Sequence, residues 1–131
     1  MSKASGQMGS PLVGTWRVER FERRTADGEM GEPLGPTPGG YAVFDATGHA
    51  FIQLYRPTEP NTPAKDIARS FIAYCGPFSV NDAGDELAVT VEGSNLADYV
   101  GSVQRRRFRI EGDRMSIGVE GQYGAKLRRV G

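Results

Sequence analysis

PLVGTW, residues 11–16, contains the only tryptophan of the chain. This stretch begins a run rich in β-branched and aromatic residues, which predicts a first strand over Leu12–Arg24. Residues two apart in a strand share one face. One face of this strand consists of Leu12, Gly14, Trp16 and Val18. The pattern therefore places the Trp16 side chain in a core, close to the start of the strand.

Seven more strand-like runs follow, and short turns rich in Gly, Asp and Asn separate most of them. The runs span Gly40–Asp45, His49–Arg56, Phe71–Val80, Glu86–Gly93, Ser102–Ile110, Arg114–Val119 and Gly124–Val130. Gly supplies positive φ in such turns, and Asp and Asn side chains bond their own backbone. The series predicts an all-β fold, an eight-stranded antiparallel up-and-down β-barrel. A two-sheet sandwich is the alternative, but Greek-key crossovers need longer connections than most of these.

One long connection lies between Arg56 and Phe71. Its first part, RPTEPNTP, is too rich in proline for a helix, whereas AKDIARSF after Pro63 predicts one short helix of about two turns. We expect this helix to lie over one mouth of the barrel.

The first and last strands of a barrel lie side by side. The last strand places Ala125, Leu127 and Arg129 on one face. The Arg129 guanidinium is then expected to cover Trp16 at the closed end of the barrel, in a contact worth about 1–2 kcal/mol when desolvated. Gly14 is expected to let neighbouring backbone approach the indole ring.

Alternation also identifies inward side chains on the other strands. The outer face of the sixth strand consists of Val103, Arg105, Arg107 and Arg109, and its inner face of Gln104, Arg106, Phe108 and Ile110. The predicted lining also includes Tyr74, Phe78, Val89 and Ile117. Both faces of the third strand, His49–Arg56, are partly apolar, so its pattern does not orient it.

Arg106 is the one charged residue among the predicted inward side chains of the sixth strand. An unpaired charge in a protein interior is costly, so an inward arginine needs a partner. That partner is either an internal network with Gln104 and Tyr74 or a ligand with an anionic or carbonyl group, and the two can coexist.

Composition narrows the function classes. The 131 residues favour one barrel domain over residues 11–131, after a disordered or vector-derived tail at residues 1–10. Lys plus Arg and Asp plus Glu both number 16, so no net charge attracts nucleic acid or anionic lipid. No apolar run approaches the ~20 residues of a membrane span, and no signal peptide is evident. A single cysteine fits the cytoplasm.

Metal and cofactor chemistry lack the required residue sets. A metal site needs three or four ligands in register, whereas His49 and Cys75 each stand alone among their residue types. We interpret His49 as a turn residue and Cys75 as an inert thiol on the face opposite Tyr74. GPTPGG lacks the helix and the Lys-Ser/Thr pair of a phosphate-binding loop. The sequence therefore predicts no metal and no cofactor.

The Gly-x-Trp of the first strand, closed by an arginine of the last, resembles the lipocalin signature. Five stretches in order are similar to the bacterial and fungal lipocalin-like domain family: LVGTWRVERFE, DGEMGEPLGPTPGGY, QLYRP, FIAYCGPFSV and VEGS…YVGSVQRRRFRIEGDRMSI. The resemblance implies a small calycin-type barrel that encloses a pocket. It matches Trp16 and Arg129 to the structural pair of the family and Gln104 and Arg106 to polar positions. Many relatives carry a histidine pair where Val89 and Thr90 stand here.

Three function hypotheses follow. In the first, the barrel binds a small, largely apolar molecule with a polar or acidic end, in bacterial specialised metabolism. Its predicted ligand contacts are Arg106, Gln104, Tyr74, Phe78, Phe108, Ile117 and Val89. In the second, the protein is a cofactor-independent cyclase or isomerase that folds a polyketide-like substrate; Arg106 or Gln104 polarises a carbonyl, and Tyr74 or Tyr41 transfers a proton. In the third, it is a structural or interaction domain with a filled barrel. The chain is expected to be a monomer or a homodimer.

Overall fold

The computed structural model describes residues 10–130, so the predicted tail lies outside the described residues except for Ser10. Eight strands form the barrel: β1 (Gly14–Arg24), β3 (Gly39–Phe44), β4 (His49–Tyr55), β5 (Phe71–Val80), β6 (Glu86–Thr90), β8 (Val103–Glu111), β9 (Arg114–Val119) and β10 (Tyr123–Arg129). Two-residue strands β2 (Met30–Gly31) and β7 (Gly93–Ser94) pair with β1 and β5. Helix α1 spans Ala64–Arg69, and a 3-10 helix spans Ala97–Tyr99.

Antiparallel pairing runs from strand to strand around the whole barrel. Each of the eight long strands pairs with the next in the chain, and β10 pairs back with β1. The predicted eight-stranded up-and-down barrel is therefore confirmed. The short strands β2 and β7 were not predicted, because a two-residue pairing leaves no periodicity in the sequence.

The hairpin turn between β3 and β4 shows the predicted turn chemistry. The Asp45 carboxylate accepts hydrogen bonds from the backbone N–H groups of Thr47 and His49, at 3.0 and 2.9 Å. The Thr47 hydroxyl also donates to it, and these bonds lower the pKa of the Asp45 carboxyl. The turn thus supplies its own hydrogen-bond partners, which fixes the register of the two strands.

Trp16 is fully buried at the end of the barrel where β1 begins and β10 ends. Its indole Nε1 donates to the Leu12 carbonyl at 2.9 Å, and Arg129 Cζ lies 4.2 Å from the ring centroid. The Arg129 guanidinium also donates to the carbonyls of Val13 and Pro11, at 2.9 and 2.5 Å. The Arg129 side chain therefore ties the segment before β1 across the indole. We call this end the Trp16 end.

Gly14 permits this arrangement, although not in the way expected from the sequence. It has a φ of +143°, and a Cβ atom at this position would lie 2.5 Å from Nη1 of Arg129. The group that approaches closely is thus the Arg129 guanidinium and not neighbouring backbone. An L side chain at position 14 would both adopt an unfavourable φ and displace the cation that covers Trp16.

A β-bulge in β1 changes which side chains face the interior. One extra residue, Glu19, is inserted between consecutive pairs with β10. Two outward side chains therefore follow each other, and Phe21 rather than Arg20 is the next buried residue. Arg23 comes next on the inner side, at the end of the barrel opposite Trp16. We call this opposite end the Arg23 end.

The remaining strands follow the predicted alternation. In β8, Arg106 and Phe108 are buried, whereas Arg105, Arg107 and Arg109 are exposed. In β4, which the sequence did not orient, the inward residues are Ala50, Ile52 and Leu54. The outward residues of β4 include Phe51, which is 49% exposed. On this strand the smaller aliphatic side chains are thus on the inner face, and the larger Phe51 ring is on the outer face.

The connection between β4 and β5 forms the predicted helix. Helix α1 begins directly after Pro63 and ends at Arg69, and the backbone N–H of the next residue, Ser70, donates to the Ile67 carbonyl at 3.0 Å. No residue of α1 is buried, and none lines the cavity described below. The position of this helix over the mouth therefore stays a prediction. No helix within residues 10–130 has the length and apolar content required to cross a bilayer.

Candidate functional site

The barrel interior contains a cavity of about 60 Å³ towards the Arg23 end, which we call the Arg106 cavity. Most of its wall is apolar and includes Phe44, Ile52, Leu54 and Ile117. Its polar lining residues are Arg23, Tyr74, Tyr99, Arg106 and Tyr123. Arg23 is exposed although it lines the cavity, so the cavity reaches the surface beside this residue.

Arg106 is the charged group of the cavity that is removed from solvent, with 8% of its surface exposed. Its Nη1 donates to the Arg105 carbonyl at 2.8 Å, and its Nη2 donates to Gln104 Oε1 at 2.6 Å. Its Cζ lies 4.7 Å from the centroid of the Tyr123 ring. Within residues 10–130 no carboxylate lies at ion-pair distance from Arg106. A full positive charge is therefore held in the barrel by neutral dipoles and an aromatic face.

A chain of hydrogen bonds connects Arg106 to the connection between β6 and β8. Gln104 Nε2 donates to the Ser102 hydroxyl at 2.6 Å, and that hydroxyl donates to the Tyr99 carbonyl at 2.5 Å. The Tyr99 ring in turn contacts the Tyr74 ring edge to face, with 5.4 Å between centroids. Gln104 thus orients Arg106 without lining the cavity itself.

Tyr74 faces Arg106 from β5. Burial raises the pKa of the Tyr74 hydroxyl above its ordinary value of 10.0, and the positive charge of Arg106 partly offsets this shift. The phenol is therefore neutral at physiological pH and can act as a hydrogen-bond donor. Of the internal network considered in the sequence analysis, the bond from Arg106 to Gln104 forms, and Tyr74 lies near the guanidinium.

Tyr123 is a lining residue that the sequence did not predict. Its hydroxyl is buried and has no hydrogen-bond partner among the described residues. The predicted last strand began at Gly124, one residue too late. Tyr123 shares the inward parity of Ala125 and Leu127, so extending the alternation by one step would have found it.

Other predicted site residues lie outside the cavity. Phe78 and Val89 belong to the packed core, where the Phe78 ring contacts Phe44 edge to face at 5.3 Å. Phe108 is also in this core and does not line the cavity. Tyr41 is 42% exposed on the outer face of β3, where Arg17 Nη2 donates to its hydroxyl at 3.3 Å. Tyr41 is therefore a wrong candidate for proton transfer inside the barrel, because the sheet separates it from the interior.

Residues 13–126 match the family model described as "Lipocalin-like domain". The chain belongs to the lipocalin-like domain family. This confirms the resemblance found in the sequence. A search of curated proteins finds no match. Among solved structures, this lipocalin-like domain is similar to an uncharacterized protein from Bacteroides eggerthii, with a TM-score of 0.52, 15% identity and coverage of 91% of this chain and 99% of that chain. At this identity the likeness shows the fold alone.

Two other candidate features of the lipocalin-like domain are metal-ligand sets and the arginines on the outer face of β8. Across residues 10–130 no three His, Cys, Asp or Glu side chains come together as a ligand set. On the outer face, Arg107 pairs with Asp85 at 3.0 Å and Arg109 with Glu111 at 3.4 Å. The arginine-rich stretch of β8 is thus divided between a partly neutralised outer face and the single inward residue Arg106.

Proposed function

We propose that this lipocalin-like domain binds a small, largely apolar molecule with a polar or acidic end in the Arg106 cavity. The observation that carries the proposal is Arg106 itself, which lines an apolar cavity without a carboxylate partner among residues 10–130. A guanidinium keeps its positive charge in proteins. A polar or acidic ligand group therefore binds most favourably beside Arg106. Burial against the surrounding apolar wall stabilises the apolar part of the ligand.

The size of the cavity sets what such a ligand must do. A volume of about 60 Å³ lies well below the ~300–1,000 Å³ of most small-molecule pockets. A larger molecule has to displace side chains, and Arg23 and Tyr99 are the best placed to move. Arg23 is exposed at the end of β1, and Tyr99 lies on a short segment with no buried residue. We expect a ligand to enter between them.

A direct test combines native mass spectrometry of freshly purified protein with displacement of a neutral fluorescent probe, N-phenyl-1-naphthylamine. Ala42 lines the cavity, so Ala42→Val is expected to weaken probe binding by filling space. Ala88 faces outward and pairs with Arg105, so Ala88→Val is the matched control and is expected to bind as the wild type does. Absence of any probe or retained molecule in the wild-type protein would contradict the proposal.

The small cavity also favours a second candidate, a structural domain whose barrel is largely filled by its own side chains. The same measurement separates the two, because a filled barrel binds no probe and is insensitive to Ala42→Val beyond a change in stability. The cyclase hypothesis is less favoured, since a folded polyketide-like chain requires a larger displacement of the side chains around this cavity of about 60 Å³ than a small ligand does.

A further inference from the structure

We infer that the polar end of the ligand is a single carboxylate, held by Arg106 and by the hydroxyl of Tyr123. This inference rests on the proposed function and names the chemical class that the Arg106 cavity selects. Among the described residues, Arg106 has no carboxylate partner and the Tyr123 hydroxyl has no hydrogen-bond partner. Two independent observations, one about charge and one about an unused donor, lead to the same ligand group.

The first observation is the charge balance of the cavity. Arg106 is 8% exposed, and its hydrogen-bond acceptors are a backbone carbonyl and the amide oxygen of Gln104, both neutral. A neutral ligand would leave one uncompensated positive charge in a medium where this is costly. A phosphate monoester would bring about −1.5 to −2 charges to one buried guanidinium and leave an excess of negative charge. Arg23 is exposed and its charge is solvated, so the buried charge that a ligand has to balance is that of Arg106, and a monoanion matches it.

The second observation concerns hydrogen-bond donors. A guanidinium carries five N–H donors, and the two bonds to Arg105 and Gln104 leave others free. A planar carboxylate can accept two parallel N–H bonds from such a group. The Tyr123 hydroxyl adds a further donor that no described protein group satisfies, and its ring lies directly against the guanidinium at 4.7 Å. A carboxylate beside Arg106 is the acceptor that this hydroxyl lacks.

The orientation of the ligand follows from where these groups lie. The apolar part of the cavity wall comes from strands around Arg106, whereas Arg23 marks the point at which the cavity meets the surface. A second arginine at the surface attracts the same anion during entry. We therefore expect the carboxylate to enter first and the apolar chain to fill the space that Tyr99 vacates.

The experiment measures binding of four probes that share a six-carbon chain: hexanoate, hexanamide, 1-hexanol and hexyl phosphate. Titration calorimetry gives the dissociation constants, and NMR spectra of protein with 13C-labelled tyrosine rings report which tyrosines are affected. We expect hexanoate to bind at least about tenfold more tightly than hexanamide, since ionised partners roughly double hydrogen-bond strength. The Tyr123 signals should shift with hexanoate, and those of Tyr41 on the outer face should not.

Two variants assign the roles. Arg106→Met is expected to remove the preference for hexanoate over hexanamide to within about twofold. Arg105→Met, on the exposed face of the same strand, is the matched control and should keep the preference. Tyr123→Phe is expected to weaken hexanoate binding about fivefold, the value of one hydrogen bond of about 1 kcal/mol. If Arg106→Met does not fold, Arg106→Lys serves in its place; it should still favour the acid but bind it more weakly than the wild type.

The possible outcomes separate this inference from the proposed function. Equal affinity for hexanoate and hexanamide, or tighter binding of hexyl phosphate, would overturn the carboxylate assignment while leaving small-molecule binding intact. Binding of only 1-hexanol and N-phenyl-1-naphthylamine would do the same. Failure of every probe, including the neutral ones, would overturn both. Wild-type affinity of Tyr123→Phe for hexanoate would remove Tyr123 from the site.

Discussion

Removing the Trp16 side chain is expected to destabilise the barrel by about 3–5 kcal/mol, the range for large aromatic residues truncated to alanine in a core. The value follows from complete burial of the ring, its contact with the Arg129 guanidinium at 4.2 Å, and the 2.9 Å bond from its Nε1 to Leu12. The stack contributes about 1–2 kcal/mol of this, and the hydrogen bond about 1 kcal/mol. The remainder is lost apolar contact at the Trp16 end.

Urea denaturation measures this loss. Trp16 is the only tryptophan, so the variant has no tryptophan fluorescence and unfolding must be followed by far-UV circular dichroism. With a slope of about 2 kcal/mol per molar urea, Trp16→Ala should lower the midpoint by about 1.5–2.5 M. Trp16→Phe keeps a ring beneath Arg129 but removes the indole N–H, so a smaller loss of about 1–2 kcal/mol is expected.

A double-mutant cycle isolates the contact between the two side chains. Trp16→Ala and Arg129→Ala should couple by about 1–2 kcal/mol, because each removes the same stack. Arg128→Ala is the matched control: Arg128 faces outward and pairs with Glu19 at 3.1 Å, and partly exposed ion pairs contribute about 0–1 kcal/mol. A Trp16→Ala variant within about 1 kcal/mol of the wild type, or a coupling energy near zero, would refute the role assigned to this pair.

Three further predictions concern stability. Arg106→Met should change the unfolding free energy by less than about 1 kcal/mol or raise it, because a buried cation without a counter-charge is costly; a loss of more than about 3 kcal/mol by urea denaturation would contradict this. Gly14→Ala should lower the unfolding free energy by more than about 1 kcal/mol, because alanine is strained at this positive φ and its Cβ clashes with Arg129. An unchanged unfolding free energy would show that the guanidinium moves freely. The raised pKa of Tyr74 means that the unfolded chain loses this proton first, so stability falls as pH rises above 10.0; Tyr74→Phe should flatten that decline, and an identical pH profile would count against a buried phenol.

Alternation predicted the barrel because most strands have one apolar face. In β8, inward Arg106 and outward Arg105 were separated correctly, although both are arginines. The bulge at Glu19 could not be predicted in this way, since one extra residue shifts the alternation without any change in composition. In β4, Phe51 lies outside although it is the largest apolar side chain of that strand, so hydrophobicity alone gave no orientation.

The candidate site was predicted only in part, for reasons that differ between residues. Arg106 and Gln104 followed from parity, and their contact at 2.6 Å is one that residues two apart on one face can make. Tyr41 could have been excluded by the same rule, because Ala42 and Phe44 occupy the inner face of its strand. Tyr99 could not be found, because it lies on a 3-10 segment whose position depends on how the connection folds over the barrel.

The position of Tyr99 links the small volume of the cavity to the charge inside it. Arg106 reaches Gln104, then Ser102 and then the Tyr99 carbonyl through three hydrogen bonds of 2.5–2.6 Å. Tyr99 itself is held by Ser102, whose hydroxyl and backbone N–H both donate to the Tyr99 carbonyl. An anion that uses the free donors of Arg106 leaves this chain of bonds intact. An acid and a neutral molecule of equal size must therefore displace Tyr99 against the same bonds. The preference for an acid then rests on the charge of Arg106, which Gln104 holds in place.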